Sequence, residues 1–289
     1  MEETMERTRK TYPNDWKTGF GITVSTAMSV IASAFMSSYF LLYLTDYAGL
    51  GIIGATIAPV ILAIGRIVDA INDPLQGLII DATPRMKFGK YRFYILLSIL
   101  ITGIAISGLY SIPDAIKGSV PLLYVWILFF YLMYDMGASF GGNFALIQTM
   151  GASDVRTSKL MLYGRLLAVF IGAAFSSLLL IVNTINKQIG NFGKAFSITT
   201  VAFMVIGVAV SLPAILMVKQ GDADVTEKDE KVHFKDVIAV FKYNKAFLVH
   251  FFGVLVRNFV YTFMTATTAY YTKWAYCTDI NTGVVTMIS

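Results

Sequence analysis

Seven long apolar stretches constrain what this 289-residue chain can fold into. A helix needs roughly 20 consecutive apolar residues to cross a bilayer core of about 30 Å. Stretches of that length cover 20–44, 52–80, 92–112, 120–149, 160–183, 196–218 and 247–272. Only 14% of the residues are charged, against roughly 25% in soluble domains. The sequence therefore predicts an all-α membrane protein with seven spans and an eighth beginning at 282–289.

Lysine and arginine are unevenly distributed over the loops between these spans. If the N-terminus is inside, sixteen of them lie in segments predicted to be cytoplasmic and four in outside loops. Cytoplasmic loops carry the excess of positive charge, so we expect a multi-pass bacterial inner-membrane protein with a cytoplasmic N-terminus. No cleavable signal peptide is expected, because 1–17 is polar and the following apolar run is too long. The formal charge of +5 then indicates contact with anionic membrane lipids, and no nucleic-acid partner is expected.

The longest polar stretch, 219–245, separates six spans from the seventh. Four apolar residues within it recur at intervals of three and four, as in an amphipathic helix: Phe234, Val237, Ile238 and Phe241. We expect a short helix on the cytoplasmic membrane surface, and a solvated linker is the alternative for the first part of the stretch. The predicted organisation is a six-helix half over 1–218, the linker over 219–245 and the start of a second half over 246–289.

Span 2 carries several ionisable side chains at membrane depth. A charge there costs about 2.5–3.5 kcal/mol on insertion scales, so it usually faces a cavity and has a function. Steps of three and four residues place Arg66, Asp69 and Asp73 on one helical face, with Asn72 beside them. Carboxylate and amide oxygens suit Na⁺, and two close carboxylates can share a proton. The spacing predicts a cation site; alternatively, Arg66 neutralises Asp69 and the cluster only holds helices together.

Three more ionisable residues lie in later spans: Asp135 in span 4, Arg165 in span 5 and Arg257 in span 7. Asp135 either contacts the substrate or pairs with Arg165, and Arg257 is expected to be structural or gating. Tyr134-Asp135 resembles the Tyr-Asp of intramembrane aspartyl proteases, but the Gly-x-Gly-Asp of their second aspartate occurs nowhere in the chain. We therefore expect no enzyme, and no cofactor other than a coupling ion, Na⁺ or H⁺.

Several motifs follow one another along the chain. They are Leu44-Thr45-Asp46-Tyr47-Ala48-Gly49, Arg66-x-x-Asp69-Ala70-x-Asn72-Asp73-Pro74, Gly89-Lys90-Tyr91-Arg92-x-Tyr94, Tyr163-Gly164-Arg165 and Ala269-Tyr270-Tyr271. In combination they resemble the glycoside–pentoside–hexuronide:cation symporters, the melibiose permease family. The end of span 2 and the basic loop after it also resemble the loop 2–3 signature of the major facilitator superfamily. Gating or structural roles are accordingly expected for Arg66, Asp81, Arg85, Lys90 and Arg92.

The resemblance implies a major facilitator superfamily fold with twelve helices in two six-helix halves. This chain would supply the N-terminal six-helix bundle, helix 7 and the start of helix 8, and would be C-terminally truncated. The implied function is coupled uptake of a sugar, glycoside or related small solute with Na⁺ or H⁺ by alternating access. A non-transporting sensor or a channel-like derivative of the same fold is the alternative. A separate C-terminal half or self-association would complete the pathway.

The family's functional residues match this chain in part. Its cation-coordinating acids of helix 2 fall on Asp69 and Asp73, which would hold Na⁺ if the protein is sodium-coupled, with Asn72 as a further ligand. Its sugar-contacting arginine of helix 5 falls on Arg165. The sugar-binding aspartates of helices 1 and 4 are missing, since they fall on Thr26 or Val30 and near Phe140, five residues after Asp135. A simple galactoside is therefore in doubt, while another glycoside, a uronide or a sulfonated sugar remains open.

Overall fold

The computed structural model describes residues 16–48, 50–84, 86–141, 145–147, 154–176, 178–219 and 242–275, and within them it contains helices and no strands. The helices are α1 (Trp16–Tyr47), α2 (Ile52–Ala82), α3 (Lys90–Leu109), α4 (Val120–Ser139), α5 (Asp154–Ser176), α6 (Leu178–Ile189), α7 (Phe192–Met217) and α8 (Lys245–Ala275). A short 3₁₀ turn, Asp114–Ile116, precedes α4.

Six helical segments among the described residues are long and apolar enough to cross a membrane. They are α1, α2, α3, α4, the consecutive α5 and α6 over Val155–Ile189, and α7. This confirms the predicted all-α, multi-pass membrane protein. The predicted seventh span lies within α8, a continuous helix of 31 residues, and its crossing of the membrane stays a prediction. The predicted amphipathic helix near Phe234 lies outside the described residues.

The fourth span is shorter than predicted. Instead of running to residue 149, α4 ends at Ser139 and the chain turns at Phe140. Gly141 and Gly142 follow in the sequence, and each glycine costs a helix about 1 kcal/mol relative to alanine. Apolar character alone extended the prediction across this pair. Asp135 therefore lies in the last turn of a 20-residue helix.

Two turns of α1 are wider than α-helical turns. After the α-helical part ending at Ala34, π turns occur at Phe35–Tyr39 and at Tyr43–Tyr47. At the second of them, the Ala48 N–H donates to the carbonyl of Tyr43, five residues back, at 2.7 Å. Such π turns are rare and often occur at functional sites.

A buried aromatic cluster joins α1 to the end of α3 and the beginning of α7. We call Phe35, Tyr43, Tyr110 and Phe196 the aromatic core; each is less than 3% exposed. The rings of Tyr110 and Phe196 are stacked, with centroids 5.5 Å apart. The Tyr43 hydroxyl donates to the Tyr110 carbonyl at 2.8 Å, and the Tyr110 hydroxyl donates to the Phe35 carbonyl at 2.6 Å. Both buried hydroxyls are therefore satisfied.

The remaining helices pack around this core in a defined order. Helix α3 packs against α7 on one side and α4 on the other, and α4 also packs against α2. Helices α5 and α8 both contact α1. The arrangement brings the polar face of α2 against the C-terminal half of α4.

Candidate functional site

A glycine sets the close approach of α2 and α4. A methyl group in place of the Gly65 hydrogen would lie 2.7 Å from the Tyr131 hydroxyl oxygen, too close for any other residue. Tyr131 is buried, and its ring packs against that of Phe40 with centroids 5.9 Å apart. Because Gly65 precedes Arg66, this contact places the charged face of α2 directly beside α4. We call the polar contact region formed there the α2–α4 seam.

Two contacts hold the acidic residues of α2. Arg66 Nη1 lies 3.4 Å from Asp69 Oδ2, one helical turn away, and the arginine side chain is 69% exposed. Asp73 Oδ1 accepts a hydrogen bond of 2.7 Å from the hydroxyl of Ser139, the last residue of α4. The same hydroxyl oxygen lies 3.1 Å from the main-chain carbonyl of Asp135. Each α2 carboxylate thus has a different partner.

Asp135 adds a third carboxyl group to the seam. Its side chain lies close enough to Asp69, Asp73 and Arg66 to interact electrostatically with all three, and it interacts most strongly with Asp69. Its Oδ2 atom is buried without a hydrogen-bond partner among the described residues. Among the described residues, three carboxyl groups therefore face one guanidinium. They do not converge on one point, since no cluster of three His, Cys, Asp or Glu side chains in the described parts of the chain is tight enough to hold a metal.

Two amide side chains of α2 retain unused hydrogen-bonding capacity. Gln76 is 3% exposed, yet neither of its amide atoms has a partner in the structure, and the Asn72 Nδ2 atom is also buried without one. Nearly all buried polar groups in proteins are hydrogen-bonded, so such groups need a water, an ion or a ligand. Asn72 and Gln76 follow Asp69 and Asp73 by three residues each, and so extend the polar surface along α2.

The sequence left pairing with Arg165 as one of two alternatives for Asp135. In the described part of the chain, the charged groups that act on Asp135 come from α2. Arg165 is exposed on α5, which packs mainly against α1. Its contact with a substrate stays a prediction.

Ser139 had no role in the sequence analysis. It is a common residue with no motif of its own. Only its position could have pointed to a role: Ser139 follows Asp135 by four residues, which places both on one face of α4.

The loop signature residues hold helix ends together where they are described. Gly89 has a φ of +93°, which favours glycine, and it immediately precedes α3. Arg92 Nη2 donates to the Leu216 carbonyl at the end of α7 at 3.1 Å, while Nη1 donates to the Phe88 carbonyl. Lys90 is buried beside it.

For three other residues with predicted gating or structural roles, the structure gives little information about those roles. The Asp81 side chain and all of Arg85 lie outside the described residues. On α8, Arg257 Nη2 donates to Asn258 Oδ1 at 3.3 Å.

Comparison with known proteins identifies the family. The chain matches the sequence model described as MFS/sugar transport protein over residues 19–285. The chain belongs to this family. Membership of a symporter family within the major facilitator superfamily, predicted from the motifs, is thereby confirmed.

Three proteins similar to this chain are symporters by name. The uncharacterized symporter YnaJ of Bacillus subtilis is 26% identical over 219 residues, 75% of this chain and 46% of that protein. The inner membrane symporter YicJ of Escherichia coli is 28% identical over 203 residues, 66% of this chain and 41% of that protein. The sodium-dependent lysophosphatidylcholine symporter 1 of Gallus gallus is 36% identical over 94 residues, 32% of this chain and 16% of that protein. The chain thus spans less than half the length of each.

Proposed function

We propose that this family member provides the cation site of a symporter that couples Na⁺ or H⁺ movement to uptake of a sugar, glycoside or related solute. The surplus of acidic groups in the α2–α4 seam carries the proposal. Asp69, Asp73 and Asp135 face one arginine, whose contact at 3.4 Å is with Asp69. Uncompensated charge at membrane depth is costly, so the seam favours a bound cation. An arginine that only neutralised one acid would leave this surplus in place.

The proposed ligands of the cation are Asp69 and Asp73, with Asn72 beside them. Since the carboxylates are not arranged as a tight cage, water and the Ser139 hydroxyl would complete the shell of a Na⁺ ion. If the coupling ion is H⁺, two neighbouring carboxyl groups would share it. The word sodium-dependent in the name of one relative supports Na⁺.

Coupling would arise because the cation and the solute favour the same arrangement of the helices. A cation in the seam removes repulsion between carboxylates on α2 and α4 and so stabilises their close packing. In alternating access the two halves of such a transporter rock about a midplane site. A solute that binds better to the cation-bound form must in turn strengthen cation binding.

The proposed solute contacts are less defined than the cation site. Arg165 would donate hydrogen bonds to hydroxyl or carboxylate oxygens of the solute. Asp135 has its neighbours in the seam, so it would respond to the cation as well as to the solute. The description of the family as sugar transport proteins supports a sugar, glycoside or uronide. We propose the bacterial inner membrane as the location, with the N-terminus in the cytoplasm.

Binding of radioactive Na⁺ to the purified chain in detergent tests this function. We expect saturable binding that Asp73→Asn and Asp69→Asn abolish. Asp114→Asn is the matched control, because Asp114 is an exposed aspartate outside the spans, and it should bind Na⁺ as the parent chain does. Proton uptake replacing Na⁺ binding, and lost in the same two variants, would assign H⁺ instead. Equal cation binding by the parent chain and Asp73→Asn would refute the site.

A further inference from the structure

A large apolar groove lies on the other side of α4 from the seam. It has a volume of about 790 Å³ and runs between α3, α4 and α7. Its walls include Leu100 and Ile104 of α3, Phe130 of α4, and Val205 and Ala209 of α7. Phe130 and Asp135 are five residues apart, which is about 140° around a helix, so groove and seam occupy different faces of α4. The cation-site proposal therefore leaves this groove without a role.

Small residues on α3 form the floor of the groove. A methyl group added to Gly103 would lie 3.0 Å from a Val208 methyl, and one added to Gly108 would overlap the ring of Phe130. Helix α3 is therefore already in close contact with α7 and with α4 at the floor of the groove. The rims remain exposed, since Ile104 and Val205 are each 62% accessible. The groove is thus an open trough on helices that are long and apolar enough to cross the membrane, where hydrocarbon is the surrounding solvent.

The length and open shape of the groove suit an acyl chain. From Leu100 to Ser111 it follows eleven residues of chain, about 17 Å at 1.5 Å per residue. A lipid chain is much thinner than a helix and can also bend to fill an irregular trough.

A cluster of charged residues with surplus positive charge lies at one end of the groove. Lys117 Nζ donates to Asp114 Oδ1 at 2.8 Å, three residues beyond Ser111 in sequence, and lowers the pKa of Asp114. The positive charge of Lys194, near the beginning of α7, also lowers the pKa of Asp114. Two lysines with one aspartate leave one positive charge in excess. Lys117 follows the end of α3 and Lys194 lies in the first turn of α7, so this charge is expected at the level of the lipid headgroups.

We propose that this groove is a binding site for a membrane phospholipid with an anionic headgroup. One acyl chain occupies the trough between α3 and α7, and the headgroup phosphate lies by Lys117 and Lys194. A bound phospholipid would fill the open space between these helices.

Native mass spectrometry of the purified chain tests this proposal, with phosphatidylglycerol or phosphatidylcholine added to the detergent. We expect one retained lipid, with phosphatidylglycerol preferred about fivefold, as one excess positive charge near a membrane surface would give. Ala209→Phe fills the trough and should remove the retained lipid. Its matched control is Val210→Phe, at a neighbouring exposed residue outside the groove, which should keep the lipid.

The headgroup contact is tested separately. Lys117→Gln with Lys194→Gln should keep the retained lipid but remove the preference for phosphatidylglycerol, whereas Lys187→Gln, at an exposed lysine of α6, should leave it unchanged. Equal lipid retention by Ala209→Phe and Val210→Phe would overturn the proposal. So would a parent chain that retains no lipid, or a dimer that only Ala209→Phe dissociates, because a second copy would then occupy the groove.

Discussion

The aromatic core and the α2–α4 seam are both contacts between helices, but they differ in whether their buried polar atoms are hydrogen-bonded. In the core, the hydroxyls of Tyr43 and Tyr110 each donate to a main-chain carbonyl, and the rings around them are almost fully buried. In the seam, the amide of Gln76 and one oxygen of Asp135 are buried without hydrogen-bond partners among the residues that the structure describes. The buried hydroxyls of the core already have their hydrogen bonds, whereas the polar atoms of the seam can still bind an ion or a ligand.

This difference distinguishes the region that maintains the fold, the aromatic core, from the region that is proposed to bind a cation, the seam. A satisfied contact gains nothing from a ligand, so it holds one arrangement of α1, α3 and α7. An unsatisfied, negatively charged contact is less stable alone and gains from a cation. Substitutions in the two regions should therefore change stability and cation affinity in different combinations.

Truncating the centre of the core should have the largest effect on stability. Phe196→Ala removes a ring that packs on Tyr110, Tyr43 and Phe35, and core Phe→Ala changes cost about 3–5 kcal/mol. Denaturation of the purified protein in detergent measures it. Phe129→Ala, at a ring that is 59% exposed, is the matched control and should cost far less. A similar loss for both would mean that the aromatic core has no special role in the fold.

Neutralising Asp135 should separate stability from binding. At alkaline pH, where Asp135 is ionised, Asp135→Asn removes one of three facing carboxyl groups, so the cation-free protein should unfold at a higher temperature. The same change should lower Na⁺ affinity about tenfold, since one attractive charge near the ion is lost. Thermal unfolding with Na⁺ or with K⁺ measures both effects. A lower unfolding temperature with unchanged Na⁺ stabilisation would contradict this description of the seam.

Removing the Ser139 hydroxyl should have a smaller effect in the same direction on affinity. Ser139→Ala takes away the 2.7 Å hydrogen bond to Asp73, worth about 0.5–1.5 kcal/mol, or about two- to tenfold in Na⁺ binding. Ser139→Thr retains the hydroxyl and should restore the affinity. If alanine and threonine variants bind Na⁺ equally, Ser139 does not orient Asp73.

The smallest effect is expected outside both regions, at the ion pair of Asp114 and Lys117. The hydrogen bond from Lys117 lowers the pKa of Asp114 below its ordinary value of 3.8. A lowered carboxyl pKa stabilises the folded state above the ordinary value, and this stabilisation disappears as the pH falls through the lowered pKa. Asp114→Asn should therefore unfold slightly earlier than the parent chain at pH 6, and the difference should disappear as the pH falls through the lowered pKa of Asp114. Thermal unfolding over a series of pH values below 6 measures this, and a difference that does not change with pH would exclude the ion pair as its cause.

Features that depend on the spacing of residues within one helix could be predicted from the sequence. Residues three apart on a helix are neighbours, so the contact of Arg66 with Asp69 could be foreseen as one reading of span 2. The six spans followed from apolar length in the same way. In each case, one helix and its solvent determine the outcome.

Features that depend on which helices pack against each other could not be predicted from the sequence. Asp135 could face α2 or α5, and only the packing of α4 against α2, with Gly65 beneath Tyr131, selects α2. Ser139 became a partner of Asp73 because α4 ends there, ten residues before the predicted end. Likewise, the π turns of α1 have no pattern in the sequence that marks them.

Those π turns affect how α1 can be compared with the first helix of a relative. Each π turn accommodates one residue more than an α-helical turn, so two of them take up two residues without lengthening the helix by a further turn. A relative without these turns would present the same faces with two fewer residues, and a gap-free alignment would shift every later position. Equivalent residues on the two sides of Phe35–Tyr39 therefore have to be matched separately, by the face that they occupy. Deleting one residue within that turn should convert it to an ordinary turn and leave Tyr43 in register with Tyr110.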